Sequence, residues 1–296
     1  MPIREVLALV LLGAIWGASF MFMRVAAPEF GIFALVEVRT VLATLVLLPV
    51  VLLKKQQGDM RRFFWPIFAI GAINTAIPFA LFNYASLHLE AGVNAILNAT
   101  APMFGAMVAF VWLHERLSKI AVAGLGLGFV GVFVISEQKV SGGQLSAVPI
   151  VAACLATCCY GIAACMMKRW LTGAQPLAVA TGSQAVASVL LFPLAVMEWP
   201  QIMPSTNAWT NAVALAVAGT GIAYILYFHL ISAVGPSKAI TVAYLVPLFA
   251  IVWGLIFLRE AMSLQTLIGG ACILSGVAMT TGITKLFGRR GFAPAK

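Results

Sequence analysis

Charged side chains are scarce in this sequence. They make up 9% of its 296 residues, against 62% hydrophobic residues, whereas a soluble domain carries roughly 25% charged residues. A chain this apolar could not cover itself with polar surface in water, which excludes a soluble enzyme or binding domain. The connections between apolar runs are also short, so no separate soluble domain fits. The composition therefore indicates an integral membrane protein.

Side chains that commonly carry chemistry are few as well. The chain has three histidines, nine acidic residues and five cysteines, with no embedded carboxylate cluster, metal-ligand spacing or nucleophile–base pair. The segment "LHERLS" lacks the second histidine of a zinc-protease helix. Cys154 and Cys158 share a face of one run, where we interpret them as small residues at a helix contact. We expect no enzymatic activity, no metal and no cofactor.

Ten apolar runs approach or exceed the roughly 20 residues that a membrane-spanning helix needs. The first has no long charged region before it and no clear cleavage site after it, so we interpret it as a retained helix. The predicted helices lie near residues 5–27, 32–53, 63–87, 91–113, 119–136, 147–169, 177–197, 208–233, 238–258 and 264–284.

The net charge of +9 is distributed unevenly along the chain. When successive connections are assigned to alternate sides, 14 of the 18 basic residues fall on the side of the two termini. This bias is typical of cytoplasmic loops and places both termini in the cytoplasm. The orientation of the protein in the lipid bilayer therefore accounts for its net positive charge, and we expect no nucleic acid as a partner.

The second half of the sequence repeats the first. The segments "APMFGAMVAFVWLHERLS" (101–118) and "VPLFAIVWGLIFLREAMS" (246–263) share five of 18 positions without a gap. At similar offsets Gly17 matches Gly161, and Thr75 matches Thr220. Five helices form each copy, and five is odd, so the second copy must enter the membrane from the opposite side. Inverted repeats of this kind are typical of secondary transporters with a site near the midplane.

These segments also resemble a known family. Together with "GAIWGASF" in the first helix and "GGACILSGV" in the last, they resemble the EamA-type members of the drug/metabolite transporter superfamily. The resemblance covers essentially the whole chain. It implies a bacterial inner-membrane carrier, often an exporter of amino acids or related metabolites. It also implies that helices 1, 3, 4, 6, 8 and 9 surround the cavity, that 5 and 10 join the halves, and that 2 and 7 lie outside.

The expected fold is therefore an all-α integral membrane protein of ten transmembrane helices, arranged as two inverted five-helix repeats. We assign residues 1–140 to the first repeat, 141–284 to the second and 285–296 to a basic cytoplasmic tail.

Polar and aromatic residues at membrane depth form the predicted substrate site. An amide in hydrocarbon is costly without a partner, so the helix face that carries Asn94 and Asn98 should look inward. A single such residue could instead bond two helices together or, for tyrosine, lie at the membrane interface. The predicted binding residues are Trp16, Ser19, Asn74, Thr75, Asn94, Asn98, Tyr160, Thr220, Tyr224, Tyr227 and Tyr244.

Two further groups of residues have predicted mechanical roles. Interior prolines and paired glycines bend helices, either for gating or as fixed kinks, and these are Pro78, Pro102, Gly219, Gly221 and Pro247. Small residues let helices approach closely, and these are Gly124, Gly128, Gly269 and Gly276. We assign the second group to the pairing of helices 5 and 10, with homodimerisation as the alternative and a monomer favoured.

Ionisable residues are almost absent from the apolar runs. The first helix has no acid between Glu5 and Glu29, unlike the small multidrug exporters of the same superfamily, so their proton-exchange route is not expected. Glu37 and Arg39 lie near the outer end of helix 2. Their side chains could serve a transport site, but we interpret them as reaching back to the membrane surface.

The sequence thus predicts an alternating-access exporter of amino acids, with apolar or aromatic side chains favoured, or of related small metabolites. A carrier of aromatic drug-like or nucleotide-like solutes is the alternative within transport. A membrane-embedded enzyme or a scaffold is the alternative outside it.

Overall fold

The computed structural model describes residues 1–141 and 147–282; the predicted tail, residues 285–296, lies outside them. Within these ranges the chain is all-helical. Eight of the described helices are long and apolar enough to cross a membrane, and α9 is a shorter apolar helix. The helices are α1 (Ile3–Leu53), α2 (Gln57–Arg62), α3 (Phe64–His88), α4 (Ala91–Trp112), α5 (Lys119–Ser141), α6 (Val148–Trp170), α7 (Pro176–Met197), α8 (Thr206–Val234), α9 (Val242–Leu258) and α10 (Leu264–Thr281).

Helix α1 covers the first two predicted helices and turns sharply at Gly31. Gly31 has a φ of 74° and a ψ of −172°, a backbone conformation open mainly to glycine. Arg39 contacts the sulfur of Met23, and these two residues would be about 24 Å apart along one straight helix. The chain therefore doubles back at Gly31, and the 51-residue helix consists of two packed stretches.

The bends predicted in α3, α4 and α8 coincide with irregular backbone. Helices α3 and α8 each contain a π-helical turn, Gly71–Ala76 before Pro78 and Val217–Ile222 around Gly219 and Gly221. Helix α4 is interrupted at residues 99–100, two residues before Pro102, because proline cannot donate the next hydrogen bond of the helix. Pro247 differs, since it lies inside the α-helical stretch Val242–Trp253.

Helices α5 and α10 cross through backbone-to-backbone contacts at glycines. A side-chain carbon added at Gly276 would lie 2.5 Å from the carbonyl oxygen of Gly124, and one added at Gly269 would lie 2.8 Å from that of Gly131. The contacting residue number rises from 124 to 131 along α5 and falls from 276 to 269 along α10, so the two helices are antiparallel. The predicted pairing of helices 5 and 10 is present, although Gly128 also contacts the side chain of Met103.

Two other close helix crossings, α1 with α9 and α6 with α4, occupy equivalent positions in the two halves of the sequence. Gly17 in α1 packs on Phe249 and Ala250 of α9, and Gly161 in α6 packs on Phe104 and Gly105 of α4. The positions correspond at the sequence offsets of 144 and 145. The first helix of each half therefore crosses the fourth helix of the other half. These crossings surround the centre of the bundle.

Candidate functional site

A cavity of about 370 Å³ lies at the centre of the bundle. Ligand sites of small solutes have volumes of roughly 300–1,000 Å³ and combine apolar walls with a few polar groups. Its walls come from α1, α3, α4, α6, α8, α9 and the residues just before α9. Eight of the eleven predicted binding residues line it: Trp16, Ser19, Asn74, Asn98, Tyr160, Thr220, Tyr224 and Tyr227.

Aromatic rings make up much of the cavity wall. Trp16 and Tyr227 are in contact at a ring-centroid distance of 5.2 Å, and Tyr160 stacks on Phe82 at 5.9 Å. The spacing of the tyrosines on α8 indicated this face from the sequence. Such rings contact an apolar or aromatic solute broadly, while the tyrosine hydroxyls offer hydrogen bonds.

Three predicted binding residues do not line the cavity. The Asn94 amide donates to the Ser86 hydroxyl at 2.8 Å and to the Phe82 carbonyl at 3.3 Å, so it joins α4 to α3. The Tyr244 hydroxyl lies 3.3 Å from the hydroxyl of Thr281 on α10. Thr75 is fully buried within the π-helical turn of α3. Asn94 and Asn98 do not act together, because the Asn94 amide is bonded to α3 whereas Asn98 lines the cavity.

Arg39 is a cavity residue that the sequence interpretation left out of the site. It is 9% exposed, and it lines the cavity instead of reaching the membrane surface. Its Nε donates to the Thr220 hydroxyl at 2.9 Å, and its guanidinium carbon lies 3.6 Å above the centre of the Phe79 ring. Helix 2, which the family resemblance places outside the cavity, thus supplies the one charged residue among the described wall residues. The signal for this in the sequence was the position of an ionisable residue, Arg39, within an apolar run.

A second chamber of about 330 Å³ adjoins the cavity and shares Asn74, Tyr224 and Tyr227 with it. It reaches Leu171 and Ala174, in the connection between α6 and α7. Lys168 and Arg169 lie at the same end of the bundle, on the side with most basic residues. The cavity therefore extends toward the basic end of the protein.

An ion pair joins four helices at the opposite end. Arg24 Nε donates to Glu260 at 3.2 Å, and its Nη1 donates to the carbonyls of Ser86 and Leu87 at 2.9 Å each. The other Glu260 oxygen accepts the backbone N–H of Ala91 at 2.9 Å. The ends of α1's first stretch, α3, α4 and α9 are thus held together. We call this group the outer ion pair, after the orientation that the sequence predicts.

A corresponding pair lies at the basic end. Lys168 at the end of α6 bonds to Glu115 beyond α4. Arg24 and Lys168 are 144 residues apart and Glu115 and Glu260 are 145 apart, so the two pairs occupy matching positions. The residues before the two glutamates, His114 and Arg259, both have left-handed backbones, with φ of 54° and 56°. We call Lys168–Glu115 the inner ion pair.

The membrane-spanning helices define a multi-pass membrane protein, and the central cavity is its candidate small-solute site. A model of the EamA-like transporter family matches residues 3–137 and 147–282. The chain belongs to this family of transporters. Similarity to individual proteins extends over nearly the whole chain.

A probable terminal-alkyne amino-acid exporter of Streptantibioticus cattleyicolor is 28% identical over 97% of this chain and 96% of its own. An uncharacterized transporter of Bacillus subtilis, YvbV, is 24% identical over 95% of this chain and 93% of its own. A solved crystal structure superposes with a TM-score of 0.67 at 17% identity, covering 97% of this chain and 99% of that one. The crystal structure shares the fold.

Proposed function

We propose that this protein is an alternating-access exporter of amino acids or related small metabolites, with apolar or aromatic side chains favoured. The observation that carries the proposal is the central cavity, which combines aromatic walls with polar groups at membrane depth. The similarity to an amino-acid exporter supports this class of solute. Transport, and not an enzymatic reaction, is the activity that family membership favours.

The architecture that serves this function is ten spans in two inverted five-helix repeats, residues 1–140 and 141–284. Three sets of contacts support it: the antiparallel α5–α10 crossing, the paired α1–α9 and α6–α4 crossings, and the two ion pairs. In each set, a contact between a residue of the first half and a residue of the second half occurs twice. The second occurrence joins the two equivalent residues with the halves exchanged, as in a two-fold symmetric interface. The glycines of α5 and α10 are used within one chain, which favours a monomer.

The two ion pairs are the proposed gates. Each joins the first helix of one half to the end of the fourth helix of the other. Glu260 and Arg24 are 12% and 31% exposed, whereas Glu115 and Lys168 are 47% and 66% exposed. Exposed pairs contribute little, roughly 0–1 kcal/mol, so the inner ion pair opens more easily. The described conformation, closed outside with a chamber toward the basic end, agrees with this order.

The proposed location is the bacterial inner membrane, with both termini in the cytoplasm. Arg61 should then face the cytoplasm and Glu198, at the end of α7, should face outward. We expect single cysteines at these two positions, in a background without the five native cysteines, to react with a membrane-impermeant maleimide from opposite sides. Reaction of both from one side would refute the inverted arrangement.

Wall substitutions test the transport site. We expect Asn98→Leu, Tyr224→Leu and Trp16→Ala each to lower the initial rate of amino-acid flux into liposomes at least about tenfold, because each removes a hydrogen bond or a broad contact. Flux of an amino-acid panel, with and without a pH gradient, is measured beside each variant's melting temperature.

Tyr244→Leu is the matched control, since this tyrosine bonds to Thr281 instead of lining the cavity. It should keep near-normal flux. Folded, fully active wall variants would contradict the site. A wild-type protein that moves no solute in the panel would contradict export of amino acids.

A further inference from the structure

Arg39 carries a buried charge at the wall of the cavity. A buried guanidinium carries five N–H donors and a full positive charge. One donor binds Thr220 Oγ1 at 2.9 Å, and one approaches the Met23 sulfur at 3.9 Å. Among the described residues, no carboxylate pairs with Arg39. A charged group at membrane depth normally has a partner or marks a transport pathway.

The neighbouring acid does not supply the missing charge. Glu37 is two positions away on the same helix, so the two side chains point in different directions. Its Oε1 accepts from the Ser188 hydroxyl on α7 at 2.6 Å. Among the described residues, none that lines the cavity or the adjoining chamber is acidic. Of the described wall residues, Arg39 is then the charged one, and it gives the solute space a charge of +1.

Two neighbours hold the guanidinium in place. Phe79 covers one face of it at 3.6 Å, which fixes the plane. Thr220 accepts the Nε proton and donates its own proton to the carbonyl of Leu215 at 3.1 Å. Leu215 lies five residues before Thr220 in α8, just before the π-helical turn Val217–Ile222. The hydrogen bonds to Thr220 and Met23 are the only ones that Arg39 makes to described residues, and Arg39 lines the cavity, so its other donors can serve a ligand there.

We infer that Arg39 is the anchor for a carboxylate of the solute and that the site favours solutes with a net negative charge. This inference rests on the proposed carrier function. A carboxylate matches the two parallel donors of a guanidinium edge, and it would neutralise the buried charge. An aromatic or aliphatic body then lies against Trp16 and Tyr227. The solute class is an apolar or aromatic monocarboxylate.

A free amino acid fits this site less well than a monocarboxylate. Its carboxylate can bind Arg39, but among the described wall residues its ammonium group finds neutral hydroxyls, amides and ring faces and no carboxylate. An amino acid whose amine is absent or acylated avoids that cost. A cation with the same body meets the charge of Arg39 without compensation and should be excluded.

Three probes with one aromatic body test the inference: 3-phenylpropionate, phenylalanine and 2-phenylethylamine. We measure their affinities for the purified protein by calorimetry and by thermal stabilisation. The expected order is anion, then zwitterion, then cation. Arg39→Gln should weaken 3-phenylpropionate binding at least about tenfold. It should also reduce the preference of the protein for 3-phenylpropionate over 2-phenylethylamine. Arg39→Lys should be intermediate, because lysine keeps the charge and loses the two-donor edge.

Arg61→Gln is the matched control, since it makes the same change outside the spanning helices and should bind the anion normally. Arg39→Lys decides the matter if Arg39→Gln does not fold. Unchanged anion binding in the Arg39 variants, tighter binding of the cation, or no binding of any carboxylate probe would overturn the inference. Flux in liposomes is measured separately. Anion binding without flux would refute the carrier and leave the anchor standing.

Discussion

Gly276→Leu should leave little folded protein. The added side chain would begin 2.5 Å from the Gly124 carbonyl oxygen and 2.7 Å from the Gly128 amide nitrogen. Both neighbours are backbone atoms of α5, so no side chain can rotate away and the helices must separate. Overpacking costs typically 1–3 kcal/mol, and we expect at least about 3 kcal/mol here because the backbones themselves collide. Gly124→Leu should act in the same way from the other helix.

Gly126→Leu is the internal control for this prediction. Gly126 lies on the same helix between Gly124 and Gly128, and nothing lies within 4 Å of its added carbon. Melting in detergent and the monomer peak in size-exclusion chromatography compare the three variants. Normal melting of both Gly124→Leu and Gly276→Leu would mean that the α5–α10 crossing does not join the halves.

Glu260→Gln should open the outer end of the cavity. The substitution removes the charge that holds Arg24 and weakens the acceptor for Ala91, in a largely buried setting. Hydrogen bonds to charged groups contribute about 1.5–3 kcal/mol, so the ratio of outward-open to inward-open protein should rise at least about tenfold. A cysteine in place of Ala101, which lines the cavity, reports this change by faster labelling from outside.

Lys168→Gln provides the comparison at the opposite end. Its ion pair is exposed, so its loss should change external labelling by less than about fivefold. Both variants are made without the five native cysteines. Equal labelling of the Glu260→Gln protein and its parent would show that the outer ion pair is not a gate.

Much of the fold was accessible from the sequence because the bilayer imposes simple rules. An apolar run must form a helix to satisfy its backbone, which is why the third to tenth predicted helices agree closely with α3–α10. Small residues on one face had few uses other than a close crossing, and Gly124 and Gly276 have that use. The turn between the first two helices was also implied, since no single span could continue through residues 5–53.

The orientation of individual polar side chains was much less accessible. Asn94 and Asn98 share one predicted helix face and one helical segment, but Asn94 bonds to α3 and, of the two, only Asn98 lines the cavity. Arg39 was interpreted as reaching the membrane surface because its position along helix 2 is close to the outer end. Its direction depends on Thr220 and Phe79, in helices far apart in sequence, which no local pattern can reveal.

The positive charge that Arg39 gives the cavity has an energetic consequence for the cell. Over one full cycle the protein returns to its starting state, so only the charge of the solute crosses the electric field. If that solute is a monovalent anion, an inside-negative potential drives it outward with about 2.3 kcal/mol per 100 mV. Export then needs no coupling ion, and collapsing the potential with a potassium ionophore would remove the driving force. On this account Arg39 lets the membrane voltage itself supply the work of transport.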